Sequence, residues 1–157
     1  MAFFSDRNIF SFNLYLAEVE TGKILRKLKG IDKKNDFDDY NFIESAGAWS
    51  PDGKKFAFVV FDEGENKLLV TDVEKARVDR TIIPGMVESF SNPAWSPDGK
   101  SIVFTGLRKG VSDLYLYDLD KNKTSRLTHD YPGNIHPAWS TDGTKLVYAQ
   151  EEANKGA

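Results

Sequence analysis

Cysteine is absent from this chain, and histidine occurs only twice. The first absence excludes disulfides, thiolate metal sites and a cysteine nucleophile. The second leaves little material for a zinc site or a Ser-His-Asp triad, and the Gly-x-Ser-x-Gly elbow of serine hydrolases is missing as well. We therefore predict no metal, no cofactor and no catalytic residue, and we expect a protein that is not an enzyme.

The chain also has no large excess of charge of one sign, because it contains 21 Lys and Arg and 24 Asp and Glu. No long-range field would collect phosphate backbones, so nucleic acid is not expected as a partner. No apolar run approaches the roughly 20 residues of a membrane span, and the first residues lack the basic stretch and apolar core of a signal peptide. The sequence predicts no membrane insertion and, in the residues given, no export signal.

What the sequence does contain is one short motif, three times. It reads Ala-Trp-Ser-Pro-Asp-Gly-Lys at 48–54 and 94–100, and Ala-Trp-Ser-Thr-Asp-Gly-Thr at 138–144. Proline presets φ for a turn and glycine takes the left-handed conformation after it, so each copy predicts a hairpin tip. The residues to which we assign this structural role are Trp49, Asp52, Gly53, Trp95, Asp98, Gly99, Trp139, Asp142 and Gly143.

A short apolar run without alternation follows each tip, at 55–61, 101–105 and 145–149. Such a run indicates a strand that is covered on both faces. A second motif, related to Leu-Tyr-Leu-x-Asp, recurs at 13–18, 67–72 and 113–118. Successive tips are 46 and 44 residues apart, which is the length of a four-stranded propeller blade.

The succession of tip, apolar strand, Leu-Tyr-Leu-x-Asp strand and Arg-Leu-Thr closely resembles the WD40-like repeat of TolB-type β-propellers. This resemblance covers nearly the whole chain and implies an all-β fold of four-stranded antiparallel blades. The order of the motifs places the second half of a blade in 1–28, blades in 42–83 and 90–128, and the first half of a blade in 134–150. Together, residues 1–157 form a single partial propeller with three blade equivalents.

Three blade equivalents do not close a ring by themselves, since propellers need roughly four to eight blades. We expect two copies to join head to tail as a homodimer with a six-bladed ring, in which the last two strands of one copy complete the first blade of the other. Phe3-Phe4-Ser5 aligns with Val147-Tyr148-Ala149, so the N-terminal strand competes for the same position and should be displaced. The alternative is a segment of a longer protein.

The resemblance also implies a noncatalytic module that binds a protein or peptide in the bacterial cell envelope, with a periplasmic setting. Two alternatives stay open: a fragment of the gating propeller of a prolyl-oligopeptidase-type serine peptidase, and an engineered or isolated propeller fragment that assembles by oligomerisation. Channel mouths are the variable, solvent-facing surface of propellers, so partner binding is expected where the innermost strands begin. The candidates are Glu44, Phe90, Asn92, Asn134 and His136, with Phe90 either a contact anchor or a core residue.

An acidic insert at 32–39 lengthens the first repeat. It lacks the glycine and the spacing of an EF-hand calcium loop, so a solvated loop is favoured over a cation site or a partner contact. His129 and His136 lie in a connection between blades, where a structural or solvated role is favoured over metal binding.

Overall fold

A computed structural model describes residues 1–8, 11–28 and 45–151, with side chains for all of these except 4–8 and 11–13. Within these ranges the chain is all β, as the sequence predicts, and no helix is long and apolar enough to cross a membrane. The acidic insert and Glu44 lie outside the described residues. The strands are β1 (Ala2–Asn8), β2 (Ser11–Ala17), β3 (Ile24–Lys27), β4 (Ala48–Trp49), β5 (Lys55–Asp62), β6 (Glu65–Asp72), β7 (Arg77–Ile82), β8 (Ser89–Trp95), β9 (Ser101–Arg108), β10 (Val111–Asp118), β11 (Lys123–Arg126), β12 (Asn134–Trp139) and β13 (Leu146–Gln150).

These strands form four antiparallel sheets in chain order. The first sheet has the order β1-β2-β3, the second β4-β5-β6-β7, the third β8-β9-β10-β11, and the fourth contains β12 and β13. Every strand therefore pairs with its neighbour in sequence, which is the arrangement of a propeller blade. The two middle sheets confirm the predicted four-stranded antiparallel blade.

The pairing of β1 with β2 is shifted by one residue from the alignment that the sequence predicts. Phe3 lies opposite Tyr15, and the equivalent pair in the third sheet is Phe104 opposite Tyr115. The two ring pairs stack alike, with centroids 5.8 and 5.9 Å apart. The alignment that placed Phe4 in this position was wrong because two adjacent phenylalanines match one aromatic position equally well, although a slip of one residue reverses the face on which each side chain lies.

The second sheet is buried on both faces. Phe56, Phe58 and Val60 of β5 enter a core shared with the first sheet, in which Leu14 and Leu28 are almost fully buried. The alternate β5 side chains enter a second core shared with the third sheet, whose buried members are Ala57, Val59, Leu68, Val70, Ile82, Phe90, Ile102, Phe104, Tyr115 and Tyr117. The two cores explain why the apolar run of β5 does not alternate with polar residues.

The three predicted hairpin tips share one hydrogen-bonding pattern. In the first, the Gly53 N–H donates to the Ser50 carbonyl at 2.9 Å, the Lys55 N–H donates to Ser50 Oγ at 2.9 Å, and Ser50 Oγ donates to Asp52 Oδ1 at 2.6 Å. Gly53 has a φ of +69°, as the turn requires. The same bonds recur in the tips at 96–101 and 140–145, so a threonine in place of the third proline leaves the turn intact.

The tryptophans of the motif lie at the rim of the sheet interfaces and are only partly buried. Trp49 is 36% exposed and packs edge-on against Phe56, with ring centroids 5.2 Å apart. The Trp139 indole N–H donates to the Ala94 carbonyl of the third sheet at 3.2 Å. These side chains link neighbouring sheets, while the strands that follow the first two tips, β5 and β9, contribute buried apolar residues to the cores.

The interior of the third sheet leaves no room for a side chain at Gly106. A Cβ there would lie 2.6 Å from the Tyr115 ring and 2.6 Å from a Val87 methyl group. We predict that Gly106→Ala lowers the free energy of unfolding by about 1–3 kcal/mol, because the strand must shift to relieve the overlap. Gly85→Ala is the matched control, since a Cβ at that position would meet nothing within 4 Å, and we expect a change within about 0.5 kcal/mol. Equal stability of the two variants in urea unfolding would contradict this packing.

The tips should also make folding sensitive to acid. The serine hydroxyl and the following backbone N–H hold the pKa of Asp52, Asp98 and Asp142 below the ordinary value of 3.8. A carboxyl whose pKa is lower in the folded state stabilises the fold above the unfolded pKa, and this contribution is lost as pH falls through the folded pKa. We predict that Asp98→Asn lowers the melting temperature at neutral pH and that the difference from the wild type shrinks below about pH 4. A difference that does not depend on pH would refute the role of the charge.

Candidate partner-binding surface

The innermost strands of the third and fourth sheets begin at one end of the molecule, which we call the upper face. Ser89, the first residue of β8, pairs with Leu107, so the turn that joins β9 to β10 also lies on this face. The hairpin tips close the opposite ends of the same strands, and we call that end of the molecule the lower face. The upper face therefore carries the predicted channel-mouth residues together with turns that are free to vary in sequence.

Asn92 and His136 occupy equivalent bulges in β8 and β12. Both have left-handed backbones, with φ of 52° and 55°, a conformation that residues other than glycine adopt only uncommonly. The Asn92 N–H donates to Ser45 Oγ at 2.8 Å, and the His136 N–H donates to Thr105 Oγ1 at 3.1 Å. In each case a hydroxyl of the preceding repeat, Ser45 just before β4 or Thr105 in β9, accepts the N–H of the bulge.

The predicted site residues differ in accessibility. The side chain of His136 is exposed and that of Asn92 is half-buried, so both can reach a partner. Phe90, at 4% exposure, packs against Phe104 with centroids 5.4 Å apart, which places it in the core and not on the surface as an anchor. Asn134 is fully buried, and its Oδ1 accepts a hydrogen bond from Gln150 at 3.2 Å. Burial thus removes Phe90 and Asn134 from the exposed surface, because their side chains complete the sheet interfaces.

A buried ion pair lies beneath the upper face. Asp113 is 1% exposed, and its two carboxylate oxygens accept hydrogen bonds from the Arg126 guanidinium and from Thr128 Oγ1, the latter at 3.0 Å. Thr128 Oγ1 in turn accepts the Leu114 N–H at 2.9 Å. The Arg-Leu-Thr part of the repeat therefore ties the outermost strand of the third sheet to the strand beside it. Removing one member would leave a buried charge without its partner.

An open cleft of about 450 Å³ lies above this ion pair. We call it the upper cleft; its lining residues are Arg108, Lys109, Val111, Arg126, His129, Asp130 and Tyr131. A second hollow of about 330 Å³, bordered by Met86 and Glu88, lies on the other side of Arg108 and Lys109. Sequence reasoning missed both, because their residues come from a turn, an outer strand and two connections that meet only in the folded chain.

The lower face has a cavity of about 400 Å³ between the second and third sheets. Asp52, Asp79 and Asp98 line it, but Lys55 pairs with Asp79 at 2.7 Å and the other two carboxylates are held in the hairpin tips. No group of three or more metal-ligating side chains occurs in the part of the chain that the structure describes. We assign Asp52 and Asp98 to the hairpin tips and Asp79 to its ion pair with Lys55.

Known proteins share the repeat architecture of these sheets. Residues 11–156 match the TolB beta propeller domain. The chain belongs to this family. The match covers nearly all of the repeats and agrees with the sheet order, the hairpin tips and the absence of helices in the described residues. A search of curated proteins found no match.

Solved structures give the same fold. TolB from Acinetobacter baumannii is 24% identical, with a TM-score of 0.75 over 98% of this chain and 35% of that chain. A TolB-type protein from Agrobacterium tumefaciens is 22% identical, with a TM-score of 0.77 over 98% of this chain and 50% of that chain. Hydrazine synthase of Kuenenia stuttgartiensis matches at 16% identity and a TM-score of 0.64, over 87% of this chain and 42% of that chain. The TolB-family chain thus spans between a third and a half of the length of these proteins.

Proposed function

We propose that this TolB-type propeller segment is a noncatalytic module that binds a protein or peptide through its upper face. The observation that supports this most directly is the exposed His136 on a left-handed bulge at the start of an innermost strand. Strained backbone that the surrounding structure holds in place is often found at binding sites. Asn92 repeats the same backbone one sheet earlier, so the two side chains form a pair on one surface.

The surroundings of the two histidines support a role without catalysis. Nucleophilic catalysis needs a base within hydrogen-bonding distance of the nucleophile and a third group that orients the base. In the described part of the chain, neither the His129 nor the His136 imidazole hydrogen-bonds a hydroxyl or a carboxylate. The fold alone does not decide the question, because a protein named as hydrazine synthase has a similar architecture.

The family resemblance supports a bacterial cell-envelope setting, and we propose a periplasmic location on that basis. A module that binds envelope partners needs an exposed recognition surface. The upper face offers one with the exposed His136, the half-buried Asn92 and the turns around them.

A phage-displayed random peptide library, selected on the wild-type chain, tests the binding surface. We predict that the selected peptides bind His136→Asn at least about tenfold more weakly, equivalent to about 1.4 kcal/mol. Asparagine already occupies the equivalent bulge in the third sheet, so the fold and the melting temperature should not change. Thr144→Asn, on the opposite face, is the control and should retain wild-type affinity. Peptides that bind both variants as well as the wild type would place the site elsewhere, and hydrolysis of a peptide ester would contradict the noncatalytic role.

We further propose that the chain binds a second copy of itself and closes a six-bladed ring. Val147 and Tyr148 of β13 are 68% and 40% exposed, whereas the equivalent Val103 and Phe104 of β9 are fully buried. No strand lies beyond β13 among the described residues, so its outer edge is open to pairing. In the single chain β1 remains paired with β2, so β12 and β13 of the second copy must displace it to complete the first sheet.

Light scattering distinguishes this assembly from a single chain. We predict a particle of twice the chain mass of 17.7 kDa for the wild type, and a single-chain mass for Tyr148→Asp, because a carboxylate there blocks the apolar interface. Ile83→Asp changes a side chain that is 52% exposed and lies in the connection between the second and third sheets, which takes no part in the proposed ring closure, so it should leave the dimer intact. A wild type that is monodisperse at the mass of one chain would overturn the ring.

A further inference from the structure

The turns that join the second and third strands of the middle sheets have the same backbone but opposite charge. Glu63 and Gly64 in the second sheet have φ of 54° and 83°, and Lys109 and Gly110 in the third have φ of 52° and 77°. Two consecutive left-handed residues define a type I′ hairpin turn. At equivalent positions, the second sheet carries Asp62 and Glu63 where the third carries Arg108 and Lys109.

The acidic turn is neutralised within its own sheet. Lys67 donates to Asp62 at 2.7 Å and to Glu63 at 3.0 Å. The hydrogen bond to Asp62, followed by that to Glu63, raises the pKa of Lys67. This cluster thus needs no ligand to balance its charge.

The basic turn has no such counterion. The position equivalent to Lys67 is Asp113, but both of its oxygens are already occupied by Arg126 and Thr128. Neither Arg108 nor Lys109 forms a side-chain ion pair within residues 1–8, 11–28 and 45–151.

The other carboxylates near the upper cleft are also engaged. Glu88 accepts the backbone N–H of Lys109 at 3.1 Å, which leaves the ammonium group unpaired. The two oxygens of Asp130 accept the His129 N–H at 3.1 Å and the Gln150 amide at 3.2 Å. These three acidic side chains serve the fold, while the guanidinium and ammonium groups of the turn project from it.

A buried donor lies below the same turn. The Tyr115 hydroxyl is buried and forms no hydrogen bond of ordinary geometry in the described structure, although the Arg108 side chain lies close enough to act on it and buried hydroxyls normally have a partner. Burial raises the pKa of Tyr115, against the opposing influence of the Arg126 and Arg108 guanidinium groups, so the hydroxyl stays protonated. The Tyr115 hydroxyl thus stays neutral below the turn, and the upper cleft itself is lined by the cationic groups of Arg108, Lys109 and Arg126, with the Asp130 carboxylate engaged in two hydrogen bonds.

We infer that the upper cleft binds the carboxylate of an acidic segment of a partner protein, with Arg108 and Lys109 as its main ligands. Charge-assisted hydrogen bonds to a carboxylate are stronger than neutral ones, and arginine can bind both oxygens at once. Met86 and Tyr131, both exposed beside the turn, suit an apolar residue next to the acidic one. The inference rests on the proposed function only in that the ligand is a protein segment.

The test uses the full ¹⁵N-labelled chain and two peptides that differ by one charge, acetyl-Leu-Glu-Leu-amide and acetyl-Leu-Gln-Leu-amide. We expect the glutamate peptide to shift the backbone amides of Arg108, Lys109 and Gly110, with an affinity on the order of tenfold higher than that of the glutamine peptide. Equal affinity for the two peptides, or shifts confined to other residues, would overturn the carboxylate site.

Variants assign the effect to the turn. Arg108→Gln combined with Lys109→Asn, which suits a left-handed backbone, should abolish the preference for glutamate. Lys123→Gln removes one positive charge from the outermost strand of the same sheet, outside the cleft, and should preserve the preference for glutamate. Lys109→Asn alone serves if the double variant does not fold, and a preference unchanged in it and in Arg108→Gln alone would refute the proposal. His136→Asn should bind the peptide normally, so failure here is distinguishable from failure of the channel-mouth site.

Discussion

The structure depends on the face-to-face packing of sheets that are apolar on both sides. Alternate side chains of β5 enter two separate cores, so the second sheet gains most of its burial only when the first and third sheets are both present. A fully buried aliphatic or aromatic side chain contributes roughly 1.5–3 kcal/mol, and a blade packed on one face only would expose about half of these groups. Stability is therefore shared between neighbours, as in other repeat proteins, and a sheet that lacks a neighbour shows it in its exposed residues. Tyr148 and Val147 of the fourth sheet are the clearest instance.

Hydrogen bonds also join neighbouring repeats, in the order in which the repeats follow one another along the chain. The Trp139 indole, the Asn92 N–H and the His136 N–H each donate to an oxygen of the preceding repeat. All three donors lie on the innermost strands β8 and β12. A left-handed bulge at Asn92 or His136 thus aligns a backbone donor with the neighbouring sheet and directs the side chain away from the packed interface. One local distortion thus places a backbone donor against the neighbouring repeat and leaves the His136 side chain exposed.

Much of this architecture follows from the sequence because its strongest signals are local. A Ser-Pro-Asp-Gly turn needs only its own residues, and the run from Phe56 to Phe61 is recognisable as doubly buried without knowledge of its neighbours. Phe90 was harder, because a phenylalanine flanked by serines and an asparagine is compatible with either exposure or burial until the third sheet is assembled. The pairing of Phe3 was missed by one residue because Phe3 and Phe4 match one aromatic position equally well. The upper cleft has no sequence signature, since Arg108, Arg126 and His129 are brought together only by the packing of strands.

The contrast between the two faces explains where function can vary without loss of the fold. At the lower face, the side chains of Ser96 and Asp98 and the backbone of Gly99 are all used to close the hairpin tip, so a substitution there acts on the turn itself. The upper turns need only two left-handed residues, and the second and third sheets meet that need with an acidic and a basic sequence. Charge at the upper face is thus decoupled from backbone geometry. A blade can replace a turn whose charges are neutralised within its own sheet by a turn with unpaired cations. This replacement changes the electrostatic potential at the upper face and does not change the packing of the sheet.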